Sequence, residues 1–344
     1  MLKDTTAFWT WFKEQQHKYR NIHEQDSHTI NLLLDDIIAE LRKYSEGLFV
    51  EIGGRGEPFE LIITPQGIQQ YFSDAAYLVL HAPPLEGWQF FALKPPHGMD
   101  FNFRMGDMEL LADALYFKPL VDHEDQDKIG VCVLHKDYQT GDKERQHALI
   151  NGLYHCLDTV LGEQSVTLDI DFLEFDTLPQ RVAEDGILSI RALAGYIDWR
   201  KKERDSYEVR TPADSSTLLQ GEIEGKPVLV MVAKNYKYYH YTEDYPYLLK
   251  VAILFNGVQE NGLPAESMET IYALEDRLIA LIGTDGHHVV SETHDGKRTA
   301  FCYIASLDQA KSIATTMQEQ TDTHRLDYTI DYDKYWVDIK SYLQ

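Results

Sequence analysis

The sequence predicts an α+β protein of two domains, and three observations carry that expectation. The succession strand, helix, strand, strand, helix, strand can be read once in each half of the chain, which is the split βαβ, or ferredoxin-like, arrangement of an antiparallel sheet with both helices on one face. A length of 344 residues exceeds what one compact core usually supports. Between the halves lies Arg200-Lys-Lys-Glu-Arg-Asp205, a charged stretch suited to a linker. The expected division is residues 1–203, an α+β domain with two extra leading helices, and residues 204–344, a second α+β domain.

From Thr6, Phe8, Trp9, Trp11 and Phe12 recur at helical steps, so a first helix presents an aromatic stripe for packing, with a cofactor or peptide groove as the alternative. Asp26 suits the N-cap of a second helix whose apolar face is Ile30, Leu33, Leu34, Ile37, Ile38 and Leu41. Leu48 to Ile52 and Phe59 to Ile63 read as a hairpin around Gly53-Gly-Arg-Gly-Glu-Pro58. Those glycines are no phosphate loop, because a strand follows them where a helix N-terminus would be needed. A helix from Gln66 to His81 and a strand from Trp88 to Leu93 come next, then an insertion, Asp100 to Val121, with its own hairpin at Phe101 to Leu111. Asp122-His-Glu-Asp-Gln-Asp127 is an acidic turn that lacks the ligand spacing and glycine of a calcium loop. A strand at Ile129 to His135, a helix at Lys143 to Leu161, a strand at Val166 to Phe175 and a short helix at Ile190 to Arg200 complete the first half.

The second half begins with strands at Tyr207 to Arg210, Leu218 to Glu222 and Val228 to Val232. Tyr247 to Phe255 is an apolar strand, and Met268, Ile271, Leu274, Leu278 and Leu281 give the buried stripe of a helix, with Pro264 placed at its first position. His287 to Thr293 and Arg298 to Ile304 flank Asp295-Gly296, a pair suited to a type I′ turn. A helix capped by Ser306 and an alternating strand, Leu326 to Tyr332, close the chain.

Thirty-two basic against 56 acidic residues leave a net charge of −24. Phosphate neutralisation needs clustered Lys and Arg, so direct nucleic-acid binding is disfavoured and a charged partner would be a basic protein. The alternative is that the acidity only keeps the protein soluble and monomeric. No apolar run approaches the roughly 20 residues needed to cross a bilayer. The N-terminus lacks the pattern of a secretory signal, so the expected home is the cytoplasm. Cys132, Cys156 and Cys302 are widely spaced, which suits reduced thiols and predicts no structural metal. No cofactor motif is present.

Gly262-Leu-Pro264, Leu274-Glu-Asp-Arg-Leu278, Asp295-Gly-Lys-Arg298 and Phe301-Cys-Tyr303, in that order and spacing, resemble the bacterial family called domain of unknown function 695, over roughly Tyr207 to Leu343. Phe8-Trp-Thr-Trp-Phe12, Glu51-Ile-Gly-Gly54 and Lys94-Pro-Pro96 resemble a module found before that domain in similar chains. The resemblance supplies no catalytic residues. Some members are fused to a domain resembling the acidic regulator of ribonuclease E activity B, a link by association only.

Enzyme candidates are unspecific. Adjacent His287 and His288 on a strand point to opposite faces, His288 with Val290 and His287 with Val289. Glu275 and Asp276 fall off the apolar stripe, where solvated carboxylates are ordinary, and His155-Cys156 diverge on a helix. The strongest binding candidate is the tyrosine-rich loop, with Tyr236, Tyr238, Tyr239, His240, Tyr241 and Asp244 as its residues. It reads either as a set of interface anchors or as a packed lid over the sheet. The expectation is a non-enzymatic binding or regulatory protein, with a small-ligand-binding protein or an unrecognised hydrolase as the alternative. A pocket of converging polar groups would favour the alternative.

Overall fold

A computed structural model describes residues 2–54, 56–105, 108–138, 141–179, 186–205, 216–257, 259, 262–265, 268–321 and 323–344. The chain forms two compact units, Thr5–Tyr207 and Glu208–Gln344, the latter together with Met1–Asp4. It is an α+β protein with several sheets.

In the first unit, helix α1 (Thr6–Gln15) buries Phe8, Trp9 and Phe12. Trp9 donates its indole N–H to the Leu78 carbonyl oxygen at 2.8 Å, and Phe12 meets Trp88 and Phe90 edge-on, so the aromatic stripe is core. Asp26 caps α2 (Ser27–Tyr44) by accepting from the backbone N–H groups of His28 and Thr29, and Ile37 and Leu41 are the buried part of its apolar face. Strands β1 (Phe49–Gly53) and β2 (Phe59–Thr64) form the expected antiparallel hairpin. Helix α3 (Phe72–Leu80) then leads to β3 (Trp88–Ala92), which lies parallel to β2. The hairpin β4 (Asn102–Met105) with β5 (Met108–Leu111) and the strands β6 (Tyr116–Leu120) and β7 (Gly130–His135) follow. Helices α4 (Lys143–Leu161) and α5 (Glu163–Leu168), strands β8 (Phe172–Thr177) and β9 (Leu188–Ser189), and helix α6 (Leu193–Asp205) complete the unit.

Three expectations for this half need correction. Its strands do not make one antiparallel split βαβ sheet. They make a three-stranded sheet, β1-β2-β3, and a four-stranded sheet, β8-β7-β6-β9, with parallel pairs β2–β3 and β7–β8. Each strand–helix–strand crossover has set its two strands side by side, leaving no slot for an interleaved strand, and β6, inside the supposed insertion, fills the other edge of β7. Next, the strand expected from Val166 begins only at Phe172. The residues before it form α5, at whose end Ser165 donates to the Asp169 carboxylate at 2.6 Å, and a three-residue alternation cannot distinguish helix from strand. Finally, Arg200 to Asp205 is helical. Arg200 donates to the Gln126 carbonyl at 2.6 Å, Lys201 pairs with Asp169 at 2.9 Å and Arg204 pairs with Asp171, so these charges pin α6 to its own unit.

The second unit contains strands β10 (Ser216–Ile223), β11 (Lys226–Ala233) and β12 (Tyr247–Leu254), helix α7 (Met268–Ile282), strands β13 (Gly286–His294) and β14 (Lys297–Ile304), helix α8 (Leu307–Glu319), strand β15 (Leu326–Tyr332) and the short α9 (Lys340–Leu343). The strand expected at Tyr207 to Arg210 lies outside the described residues. The sheet runs β10-β11-β13-β14-β12-β15 with every neighbouring pair antiparallel. At the β13–β14 turn Asp295 and Gly296 have φ of 46° and 76°, the left-handed pair a type I′ turn demands. One face is closed by α7 and α8, with Leu249, Val251, Cys302, Ile271, Leu278 and Ile313 in a single core. The opposite face is closed by Tyr236, Trp336, Ile339 and Leu343 over Val230, Val290 and Tyr303.

Helix α7 departs from the expectation in two ways. It starts at Met268, so Pro264 precedes it in an isolated bridge. Its buried stripe runs through Ile271, Leu274, Glu275, Leu278 and Ile282, while Leu281 is exposed.

Candidate functional site

The tyrosine-rich loop leaves β11 through a 3-10 turn at Lys234–Tyr236 and returns through another at Thr242–Asp244. Between them the chain folds back over the sheet. Tyr236 and Tyr239 place their hydroxyl oxygens 2.9 Å from Nδ1 and 2.9 Å from Nε2 of His287. The Tyr245 ring sits edge-on to the same imidazole at 4.4 Å between centroids. Burial lowers the pKa of His287 and is the main cause that pushes Tyr239 up to about 12, so the ring is a neutral imidazole between two neutral phenols. One nitrogen donates and the other accepts.

This knot is anchored from the C-terminal segment. Trp336, in the left-handed region at φ 53°, stacks on Tyr303 at 4.0 Å and donates its indole N–H to the Tyr245 carbonyl at 3.0 Å. Tyr303 donates to the Asp333 carboxylate at 2.6 Å, and that carboxylate also accepts the backbone N–H groups of Val337 and Asp338. Burial raises the pKa of Asp333 in spite of these donors.

The six candidate residues therefore separate. Tyr236 is core and Tyr239 is the lid's inner layer, both brought onto His287. Tyr238 is half-buried with the Lys237 ammonium over its ring at 5.1 Å. His240, Tyr241 and Asp244 are exposed, and the Tyr241 ring stands edge-on to Tyr239 at 5.8 Å. The loop is a packed lid on its inner side and a surface on its outer side.

On the helix-covered face Glu275, expected to be solvated, is 6% exposed. Both Nε and Nη2 of Arg298 donate to its Oε2, at 2.9 and 2.8 Å, and Arg298 Nη1 donates to Thr293 at 2.9 Å. Ser291 donates its hydroxyl to Glu275 Oε1, and His288 Nε2 lies 2.8 Å from the same hydroxyl oxygen. Serine, histidine and carboxylate are thus in contact, but the serine proton points at the carboxylate and the imidazole is a donor to the serine. That is the reverse of an activated nucleophile, and Ser291 is buried. His287 and His288 do face opposite sides, as expected. Val289 shares the lid side with His287 as expected, but the bulge after His288 turns Val290 onto that side as well, away from His288.

The first unit holds a cleft that the candidate residues did not include. Asn151, Tyr154, His155 and Asp158 recur at steps of three and four along α4 and form one wall, with Val166, Thr167, Ile170, Phe172 and the Gln66-Gly67 turn opposite. The cleft is open to solvent on one side and has a volume of about 720 Å³. At its base the Lys94 ammonium lies 3.1 Å from Glu51 and 3.1 Å from Asp158, joining two of the motifs singled out in the sequence. Below it Glu163, 1% exposed, accepts from Thr64 Oγ1 and Gly67 N at 2.7 Å and from Lys94 N at 3.1 Å. Burial raises its pKa. His155 opens to the cleft while Cys156 is buried, and burial pushes the Cys156 thiol up to about 12. The polar steps on α4 were the available signal; the opposite wall is assembled by the parallel packing of β8, which local pattern does not show.

The acidic turn is closed on itself. Asp122 accepts from Lys128 at 2.8 Å and from the N–H groups of Glu124 and Asp125, and these bonds, Lys128 first, hold its carboxyl at about 2. Among the described residues no group of three or more His, Cys, Asp or Glu is arranged to hold a metal ion, and no helix is long and apolar enough to cross a membrane. All three cysteines are unpaired and buried.

The C-terminal unit is thus an antiparallel sheet closed by helices on one face and by an aromatic lid on the other. Residues 217–344, which include the whole lid, match the model of a family described as a family of unknown function, DUF695, in agreement with the resemblance read from the motifs there. No curated protein and no solved structure matches the chain.

Proposed function

We propose that this is a non-enzymatic binding or regulatory protein of the cytoplasm that docks a basic protein partner on the outer side of the tyrosine lid. The observation that carries the proposal is Tyr241, 63% exposed, whose ring rests edge-on against a tyrosine itself tied to His287, next to the exposed Asp244. An aromatic side chain held before binding loses little freedom on docking, and carboxylates beside it steer a basic surface toward it. The net charge of −24 supports the same choice of partner, and three unpaired thiols support a reducing compartment. For the fold, we propose that β12-α7-β13-β14-α8-β15 is a split βαβ unit extended at one edge by the β10–β11 hairpin. The strand order β13-β14-β12-β15 supports it.

The test is paired kinetics of the wild type and Tyr241→Ala on a basic protein recovered with the wild type as bait. Loss of a central aromatic anchor is expected to raise the dissociation rate by roughly tenfold or more with little change in association. Added salt should slow association instead. An unchanged dissociation rate in a folded variant would remove Tyr241 from the interface.

A further inference from the structure

We propose that the cleft along α4 is a binding site for a neutral polyhydroxylated ligand, a sugar or short glycan. Its lining excludes the charged alternatives. Lys94, the cation in the lining, already lies between two carboxylates, so a phosphate or carboxylate ligand would have to displace Glu51 or Asp158. The two lining carboxylates are matched as well. Asp158 holds Lys94, and Asp171 accepts the Ile129 N–H at 2.7 Å and pairs with Arg204, so an ammonium ligand would have to compete with a cation already held at each of them.

What the cleft offers instead is hydrogen bonding from side chains along one helix face. The Asn151 side-chain amide, the Tyr154 hydroxyl and the ring nitrogens of His155 make no hydrogen bond to any described residue, and all three side chains line the same wall. Together they present donors and acceptors within two turns of one helix. Opposite them Val166, Ile170, Phe172 and Leu173 give an apolar strip, and the exposed Tyr154 ring adds an aromatic face. A sugar has this dual character, with hydroxyl groups that both donate and accept around its rim and C–H groups on its faces. A volume of about 720 Å³ falls within the range of ligand pockets, about 300–1,000 Å³. The wall is prefixed, because Glu163 and the Lys94 bridge lock α4 and α5 against the first sheet.

The proposal is independent of the tyrosine lid and is tested on the full chain. Fluorescently labelled wild type, Asn151→Ala and Tyr154→Ala are applied to an array of neutral, sulfated and amino glycans, and any hit is titrated calorimetrically with the free glycan. Both substituted side chains are exposed, and unchanged near-ultraviolet circular dichroism confirms the fold. The expected result is saturable binding of at least one neutral glycan that weakens tenfold or more in each variant. Retention of charged glycans alone, retention of none, or neutral-glycan binding unaltered in both variants would overturn it. Adenosine serves as a flat, neutral comparator; its binding in place of every glycan would also overturn the assignment.

Discussion

His287 shows how a single residue joins the two halves of the lid. Both of its ring nitrogens face phenol oxygens, and burial lowers its pKa, so the unfolded chain binds a proton more readily than the folded one. Stability from the neutral ring is therefore complete above the unfolded value of about 6.5 and is lost as pH falls below it toward the depressed folded value. His288 shifts in the same direction, also through burial first. Asp333 and Glu163, whose pKa values burial raises, act with the opposite sign, so the histidine contribution must be isolated by difference. Urea unfolding of wild type and His287→Gln at pH 7.5 and 5.5 should show a stability gap that narrows at the lower pH. On the other face, Arg298→Met leaves the Glu275 carboxylate buried with its cation gone and should destabilise the protein by about 3–5 kcal/mol. The double variant with Glu275→Met should recover most of that loss, measured by the same unfolding curves.

Elements were legible where their signals are local. Asp26 and Ser306 cap the helices they were expected to cap, and Asp295-Gly296 turns as a pair that accepts positive φ must. Parallel pairing was not legible, because β2 and β3, like β7 and β8, are neighbours only after a helix has crossed over between them. The same holds for the candidate site. A cluster of tyrosines pointed to the loop, but nothing in the run from Tyr236 to Tyr241 separates the ring that binds His287 from the ring left outside. The end of α4 offers a test of how tightly elements meet. Gly162 has φ 80°, and a Cβ there would come within 3.0 Å of Pro96 and 3.2 Å of the Lys94 carbonyl oxygen. Gly162→Ala should destabilise by about 1–3 kcal/mol in thermal unfolding. Gly195→Ala, in α6 with open space around it, should instead stabilise by about 0.4–1 kcal/mol.

At the scale of the whole molecule, each unit has its own core, and the sheet of the second is closed on both faces by its own residues. A fragment of residues 208–344 is expected to unfold cooperatively by itself. Of the chain's five tryptophans it keeps only Trp336, whose stacking on Tyr303 makes its fluorescence a direct reporter. A sloping, non-cooperative transition would show that the fragment needs the rest of the chain. The first unit is put together differently, from a three-stranded sheet, a four-stranded sheet and the β4–β5 hairpin, and one carboxylate ties α5 to the first of them: Glu163, at the start of α5, holds the amides of Gly67 and Lys94. Those two protons sit 27 positions apart in sequence yet go to the two oxygens of one carboxylate. In hydrogen–deuterium exchange they should therefore lose protection together, in a single opening event, and a ligand lodged in the cleft above them should slow both by the same factor.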